Sequence, residues 1–178
     1  MTSLGARMDQ RTILIDTSRC DACGRCELAC AVFRSSKSKR LCAALGETPS
    51  PASRLKVQTL PTGAMPVLCL NCRQAPCVDA CPVGAMQRDA DDLVFVDEAR
   101  CVGCWMCVMV CPFGAITPSF EDDLAIKCDR CREMDAMACV TACPTGALAS
   151  VPSAAGLSKS ARTRVTAMLA KMPSGVEP

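Results

Sequence analysis

The sequence predicts an α+β protein in which short strands, cysteine-rich loops and short helical turns repeat. Seventeen of its 178 residues are cysteines, about twice the density that already marks a specialised scaffold. Sixteen of the seventeen fall into four blocks of one pattern, and repetition of this fidelity signals a repeated structural unit. Short apolar strings rich in β-branched residues precede the blocks: TILID at 12–16, DLVFVD at 92–97 and LAIK at 124–127. They are too short for helices and read as strands.

Composition narrows the chemistry. Half the residues are hydrophobic, yet the chain has four Phe, one Trp and no Tyr. Aromatic side chains supply much of an ordinary core, so something else fills this interior. Histidine is absent, which excludes haem ligation by His, Rieske-type centres and imidazole acid–base catalysis. The stretch MTSLGARMDQRTILIDTSRC has no apolar core, small-residue cleavage site or twin arginine, so no secretory signal is read there. No apolar run approaches the roughly 20 residues of a membrane span. A cytoplasmic location is therefore expected, where thiols stay reduced and bind metal in preference to forming disulfides. The side-chain balance of +2 names no partner by itself, and neither nucleic acid nor a membrane is expected.

The first block is CDACGRCELAC, with Cys20, Cys23, Cys26 and Cys30. The second, CLNCRQAPCVDACP, holds Cys69, Cys72, Cys77 and Cys81. The third, CVGCWMCVMVCP, holds Cys101, Cys104, Cys107 and Cys111, and the fourth, CDRCREMDAMACVTACP, holds Cys128, Cys131, Cys139 and Cys143. Three blocks continue alike, as CPVGAM at 81–86, CPFGAI at 111–116 and CPTGAL at 143–148. Proline fixes φ and lacks an N–H, so it turns the chain after the last cysteine. Glycine permits a positive φ and a close backbone approach to sulfur. Ala and then Met, Ile or Leu return the chain to packed structure. The first block continues as AVFRSS instead, so a helix is expected to run on there. Residues 31–68 interrupt the repeat with FRSSKSKRL and GETPSPAS and read as an exposed insertion.

Zinc would draw on two well-separated cysteine pairs, which 69/72 and 128/131 alone would suit. Three cysteines in one Cys-x2-Cys-x2-Cys loop instead wrap three corners of a cube. The pattern C-x2-C-x2-C-x3-C-P is a known iron–sulfur signature, in which the fourth cysteine serves the other cluster of a pair. Cys111 is therefore expected to close a neighbouring site, so that four blocks give four 4Fe-4S clusters in two lobes. Each oxidised cluster with four thiolates carries about −2, which moves the chain from +2 to about −6. Arg25, Arg73, Arg130 and Arg132 lie near the blocks and read as solvated loop residues or as charges that offset the clusters.

These blocks, with SKSK at 36–39, KCDRC at 127–131 and ACPTGAL at 142–148, resemble the four-cluster ferredoxin-like electron-transfer subunits of bacterial redox complexes. Such subunits include the iron–sulfur subunits of the dimethyl sulfoxide reductase and formate dehydrogenase families. The small polyferredoxins of carbon monoxide dehydrogenase, hydrogenase and tungsten aldehyde oxidoreductase systems are similar too. The resemblance spans 12–149 and implies two bacterial-ferredoxin-like dicluster lobes. It implies nested pairing: Cys69, Cys72, Cys77 and Cys111 on one cluster and Cys81, Cys101, Cys104 and Cys107 on its neighbour. Cys20, Cys23, Cys26 and Cys143 would hold a third, and Cys30, Cys128, Cys131 and Cys139 the fourth. Spacing alone supports only the middle pair of blocks and leaves sequential pairing of the outer ones open.

The function implied is electron relay without catalysis by this chain, since full cysteine ligation leaves no open iron. Its partners would be a catalytic oxidoreductase subunit, of molybdenum or tungsten, carbon monoxide dehydrogenase or hydrogenase type, and a redox carrier or reductase subunit. Two other classes are a filament-forming polyferredoxin scaffold and a zinc-bound regulatory module. Cys42 reads as a buried free thiol, Trp105 as packing over a cluster, and Arg34, Lys37, Lys39 and Arg40 as a solvated basic face. The inserts RQAP (73–76) and REMDAMA (132–138) are expected to bulge as loops, the longer one a candidate partner contact. In the tail 150–178, Leu157, Ala161, Val165, Met168, Leu169 and Met172 recur at near-helical spacing. An amphipathic helix over about 153–172 is predicted, packed on the body or joining copies into a homo-oligomer.

Overall fold

The structure, a computed structural model, describes residues 11–36, 39–61, 63–132 and 134–152. The predicted helix over 153–172 and Lys37 of the basic run lie outside the described residues. Among the described residues, four two-stranded antiparallel sheets and five short α-helices are interspersed along the chain, so the mixed α and β content matches expectation. β1 (Arg11–Ile15), β5 (Val94–Val96) and β7 (Leu124–Lys127) occupy the three strings read as strands. Their partners β4 (Met86–Arg88), β6 (Ile116–Ser119) and β8 (Leu148–Pro152) each begin just after a C-P-x-G-A turn. Pairing sets Met86 opposite Val96, Ile116 opposite Lys127 and Ile15 opposite Leu148. Hairpins β4–β5 and β6–β7 are local, whereas β1–β8 joins the two ends of the described chain around them.

Each block contributes one helix: α1 (Arg25–Arg34), α3 (Pro76–Asp79), α4 (Met106–Met109) and α5 (Ala138–Ala142). Prolines 82, 112 and 144 end three of them within a few residues, because proline cannot donate to the helical ladder. The first block has no such proline, and α1 runs ten residues, to Arg34. Two groups of buried side chains form the interior. One gathers Ile13, Leu55, Leu68, Met137 and Leu148 around Cys26, Cys30 and Cys139. The other gathers Met86, Val94 and Ile116 around Cys107, with Ala75 and Ala125.

The stretch 31–68 departs from the sequence reading. It is not an exposed irregular insertion but carries α2 (Leu41–Leu45), β2 (Leu55–Leu60) and β3 (Gly63–Leu68). Along β3 the residues Ala64, Pro66 and Leu68 are buried while their neighbours are not, the period-two pattern of a half-buried strand. Leu55 and Leu68 belong to the first core group, and Val57 N–H donates to Glu27 Oε1 on α1 at 2.8 Å. Glu47 is buried as well and accepts from Ser35 Oγ and from Ser36 N at 3.1 Å. A turn-rich composition hid a segment in which Ala44, Leu55, Ala64 and Leu68 are buried while Leu41, Leu45 and Leu60 stay exposed.

Within the basic run Lys39 and Arg40 are exposed, as a solvated face requires, and only Arg34 departs from it. Arg34 forms an ion pair with Asp129, and Arg54 reaches the other oxygen of that carboxylate at 3.0 Å. Lys39 Nζ donates to the carbonyls of Phe33 and Ser35 at 2.7 and 2.9 Å. It thereby caps α1 where unpaired carbonyls and the helix dipole favour a cation. Arg34 and Arg54 thus clamp α1 and the 31–68 stretch onto the fourth block. Asp129 is only 8% exposed, and removing one partner of a buried ion pair leaves its cations uncompensated. Asp129→Asn is expected to lower unfolding stability by about 3 kcal/mol, read as a lower denaturation midpoint of the metal-loaded protein.

Candidate metal centres

Three small pockets are each walled by four cysteines. Cys81, Cys101, Cys104 and Cys107 surround the first, with Trp105 and Val96. Cys69, Cys72, Cys77 and Cys111 surround the second, beside Phe113 and Lys127. Cys20, Cys23, Cys26 and Cys143 surround the third, closed by Val57 and Pro66. The remaining set, Cys30, Cys128, Cys131 and Cys139, is buried throughout. Burial first, and then the adjoining Cys128, Cys30 and Cys131, pushes the Cys139 thiol up to about 12. The second block therefore meets the third, and the first meets the fourth.

Helix geometry explains why one block serves two sites. In every block the third and fourth cysteines are four residues apart, so a helical turn sets them on one face about 6 Å apart along the axis. Cys26 and Cys30 lie together on α1, and the pairs 77/81, 107/111 and 139/143 lie in or just past α3, α4 and α5. One sulfur of each pair faces its own block's site and the other faces the next.

The turn after the fourth cysteine builds a nest of amides for its sulfur. Gly84, Gly114 and Gly146 share φ of 60, 58 and 64°, a left-handed conformation that a side chain would strain. The chain then curls back, so that Ala85 and Met86 N–H reach Cys81 Sγ at 3.2 and 3.4 Å and Ala115 N–H reaches Cys111 Sγ at 3.4 Å. Burial raises the Cys81 thiol, but the amides of Met86, Ala85, Val83 and Gly84 outweigh it and hold it below the ordinary value. At Cys143 burial is likewise outweighed, by the Leu148 amide, the Thr145 hydroxyl and the Ala147 amide. Cys30 lacks this turn and takes its donor from afar, the Arg54 N–H at 3.3 Å. The 31–68 stretch thus supplies what the missing proline and glycine would have supplied.

The donor set fits an iron–sulfur cluster. Burial drives the Cys26 and Cys107 thiols up to about 11 and Cys128 to about 12, so bare thiolates are not stable there. A metal cation supplies the missing positive charge and holds each sulfur deprotonated. Among the described residues no three Cys, Asp or Glu side chains approach closely enough to grip one metal ion. The thiols stand around open space instead, with backbone amides aimed at several sulfurs.

Other residues fall where the sequence gave less guidance. Trp105 lines the Cys81/Cys101/Cys104/Cys107 cavity and meets Phe120 edge-on, with ring centroids 5.4 Å apart. Arg25 and Arg73 are exposed, while Arg130 N–H reaches Cys128 Sγ at 3.4 Å and Arg132 lies 4.5 Å over the Phe95 ring. Glu133 of the longer insert lies outside the described residues. Cys42 is a correction: it is exposed on α2, whose inward contact is made by Ala44. In a five-residue helix the single buried position went to Ala44. Lys127 went unnoticed as the last residue of a short strand; a lysine ending an apolar string directly before a cysteine block was the available signal.

Residues 57–152 match a family model described as a 4Fe-4S dicluster domain, and residues 17–32 one described as a 4Fe-4S binding domain. The chain is 42% identical over 155 residues to an iron-sulfur protein of Rhodospirillum rubrum, covering 78% of this chain and 80% of that one. It is 37% identical over 158 residues to the electron transport protein HydN of Escherichia coli (strain K12), covering 79% and 87% of the two chains. With the thiosulfate reductase electron transfer subunit PhsB of Salmonella typhi it shares 36% identity over 155 residues, covering 79% and 74%.

Cys23, Cys42 and Cys104 are the exposed cysteines, and only Cys42 stands outside the four sets. In native, anaerobic, metal-loaded protein one thiol per chain is expected to react quickly with a disulfide reagent such as DTNB, and Cys42→Ser should abolish that phase. Rapid reaction of Cys23 or Cys104 would show those sulfurs to be free.

Proposed function

The chain belongs to the ferredoxin-like electron-transfer proteins built on the 4Fe-4S dicluster domain, and from that premise we propose that it relays single electrons through four 4Fe-4S clusters. The sixteen cysteines would hold them in the four sets in which their side chains converge. When bound, each cluster supplies a one-electron site that makes no bond to substrate. The convergence of four thiols on each site, with backbone amides aimed at the Sγ atoms of Cys30, Cys81 and Cys111, is the observation that carries this reading.

The chain's own residues order the sites into a line. α1 and α5 span the sets of Cys20/Cys23/Cys26/Cys143 and Cys30/Cys128/Cys131/Cys139. α3 and α4 span the other two. Between these halves Cys69 lies close enough to Cys128 for its charge to raise that thiol, after burial, which raises it most, and the Arg130 amide, which lowers it. The line begins and ends at the surface, because each outer set has one exposed cysteine, Cys23 or Cys104, while the set around Cys128 has none. The amide nests stabilise thiolate sulfur, and the two core groups exclude water from the interior sites. On this proposal residues 12–149 form one four-cluster domain of two halves, working in a reducing, cytoplasmic compartment.

With all four sites filled by cysteine, no coordination position is left for a substrate, so the chain serves a catalytic oxidoreductase subunit and a second carrier. That one relative is named as the electron transfer subunit of a thiosulfate reductase supports such an arrangement. The surface agrees with it. Val102, Met106 and Met109 of the third block, and Phe120 against Trp105, are all exposed, the last two at 80% and 76%. Apolar side chains gathered at one end of a relay suit contact with a partner. The resemblance implies a partner of molybdenum or tungsten, carbon monoxide dehydrogenase or hydrogenase type.

Anaerobically purified protein is expected to contain about sixteen irons per chain, and Cys111→Ala about twelve, measured by iron and protein analysis. Iron near one or two per chain would refute the four-cluster relay. Chelating the iron should erase the visible colour and the far-UV circular dichroism together, since cysteines form part of both core groups and metal binding is coupled to folding. An unchanged far-UV spectrum after complete iron loss would contradict that coupling.

A further inference from the structure

Three charged side chains are buried among the described residues: Glu47, Lys127 and Asp129. Glu47 is held by the serines at 35 and 36, and Asp129 by Arg34 and Arg54. Lys127 is different. It is 2% exposed, and its Nζ donates to two backbone carbonyls, that of Val94 and that of Cys128 at 2.9 Å. Carbonyls are neutral, so these bonds orient the ammonium without cancelling its charge. Burying such a group is costly unless negative charge lies nearby.

Its surroundings identify that charge. Lys127 lines the cavity of Cys69, Cys72, Cys77 and Cys111. The carbonyl it grips belongs to Cys128, whose sulfur serves the adjoining set with Cys30, Cys131 and Cys139. The side chain therefore stands at the junction between the two inner sites. Arg130 crosses the same junction: its N–H meets Cys128 Sγ at 3.4 Å and its guanidinium donates to the Leu70 carbonyl at 3.2 Å. Arg34 also approaches this region, but its charge is matched by Asp129.

Given the four-cluster relay proposed above, we infer that Lys127 is a positioning residue that raises the reduction potentials of the two inner clusters, with Arg130 acting in the same direction. One-electron reduction adds a negative charge to a cluster that is already anionic, and a fixed cation stabilises the reduced form more than the oxidised one. The need is greatest at the buried Cys30/Cys128/Cys131/Cys139 site, because burial by itself disfavours the extra charge. Without a cation the middle of the line would be a step that an electron entering from either end must climb.

The test is a dithionite titration of the anaerobic holoprotein followed by electron paramagnetic resonance, with iron measured on each sample. Cys23→Ser and Cys104→Ser identify the signals of the two outer clusters. In Lys127→Met the two inner clusters are expected to titrate at lower potential and the outer two to stay in place, while Lys127→Arg restores the wild-type values. Full iron with no shift, or an equal shift of all four clusters, overturns the inference. If Lys127→Met loses iron, Arg130→Gln, which keeps the N–H on Cys128, decides: a downward shift of the inner pair supports the inference and an unmoved pair overturns it. Wild-type iron far below about sixteen per chain would instead remove the relay on which the inference rests.

Discussion

Sulfur anions cannot be packed side by side in a protein interior unless positive charge lies among them. That constraint governs this molecule. Burial first, with neighbouring thiols adding to it, drives several of its thiols to about 11 or 12, so at neutral pH they would not stand as free anions. A cation-containing group that meets four sulfurs at once resolves the conflict. It also explains a core with few aromatic residues and hairpins of only three to six residues per strand. So small an apolar ledger would not hold an ordinary domain together; here the hairpins close around the sites instead.

From the same constraint follows the recurrence of backbone amides around sulfur. An amide N–H stabilises a thiolate by hydrogen bonding without adding a side chain, and the C-P-x-G-A turn delivers several to one thiolate. The first block shows that the need, not the motif, is what the fold satisfies. It has no proline or glycine after Cys30, yet Cys30 receives an amide from Arg54. The same stretch of chain that carries Arg54 also brings Leu55 and Leu68 into the core and ties itself to Asp129. A segment that looks like padding between blocks thus completes the site of a distant block.

Spacing made much of this legible. The interval of four residues between third and fourth cysteines, the three C-P-x-G-A turns and the strings TILID, DLVFVD and LAIK are local features, and local features fold locally. Cys42 and the run around Arg34 were less legible, because exposure depends on which face of a short element meets the rest of the chain. For a five-residue helix such as α2 there is too little periodicity to tell. Lys127 was hidden for a similar reason: as a letter at the end of a strand it is ordinary, and only its place beside two sets of thiols gives it weight.

By itself the sequence determined the chemistry of the donors, the four blocks and the turn that follows three of them, because each is written within about a dozen residues and enforced by backbone sterics. Tertiary structure decided which thiols stand together across blocks, that residues 31–68 are part of the core, and that one ammonium lies buried between two inner sites. Those outcomes depend on β1 closing with β8 over more than a hundred residues. Long-range closure is set by the fit of whole surfaces against one another, a property that no stretch of neighbouring residues encodes.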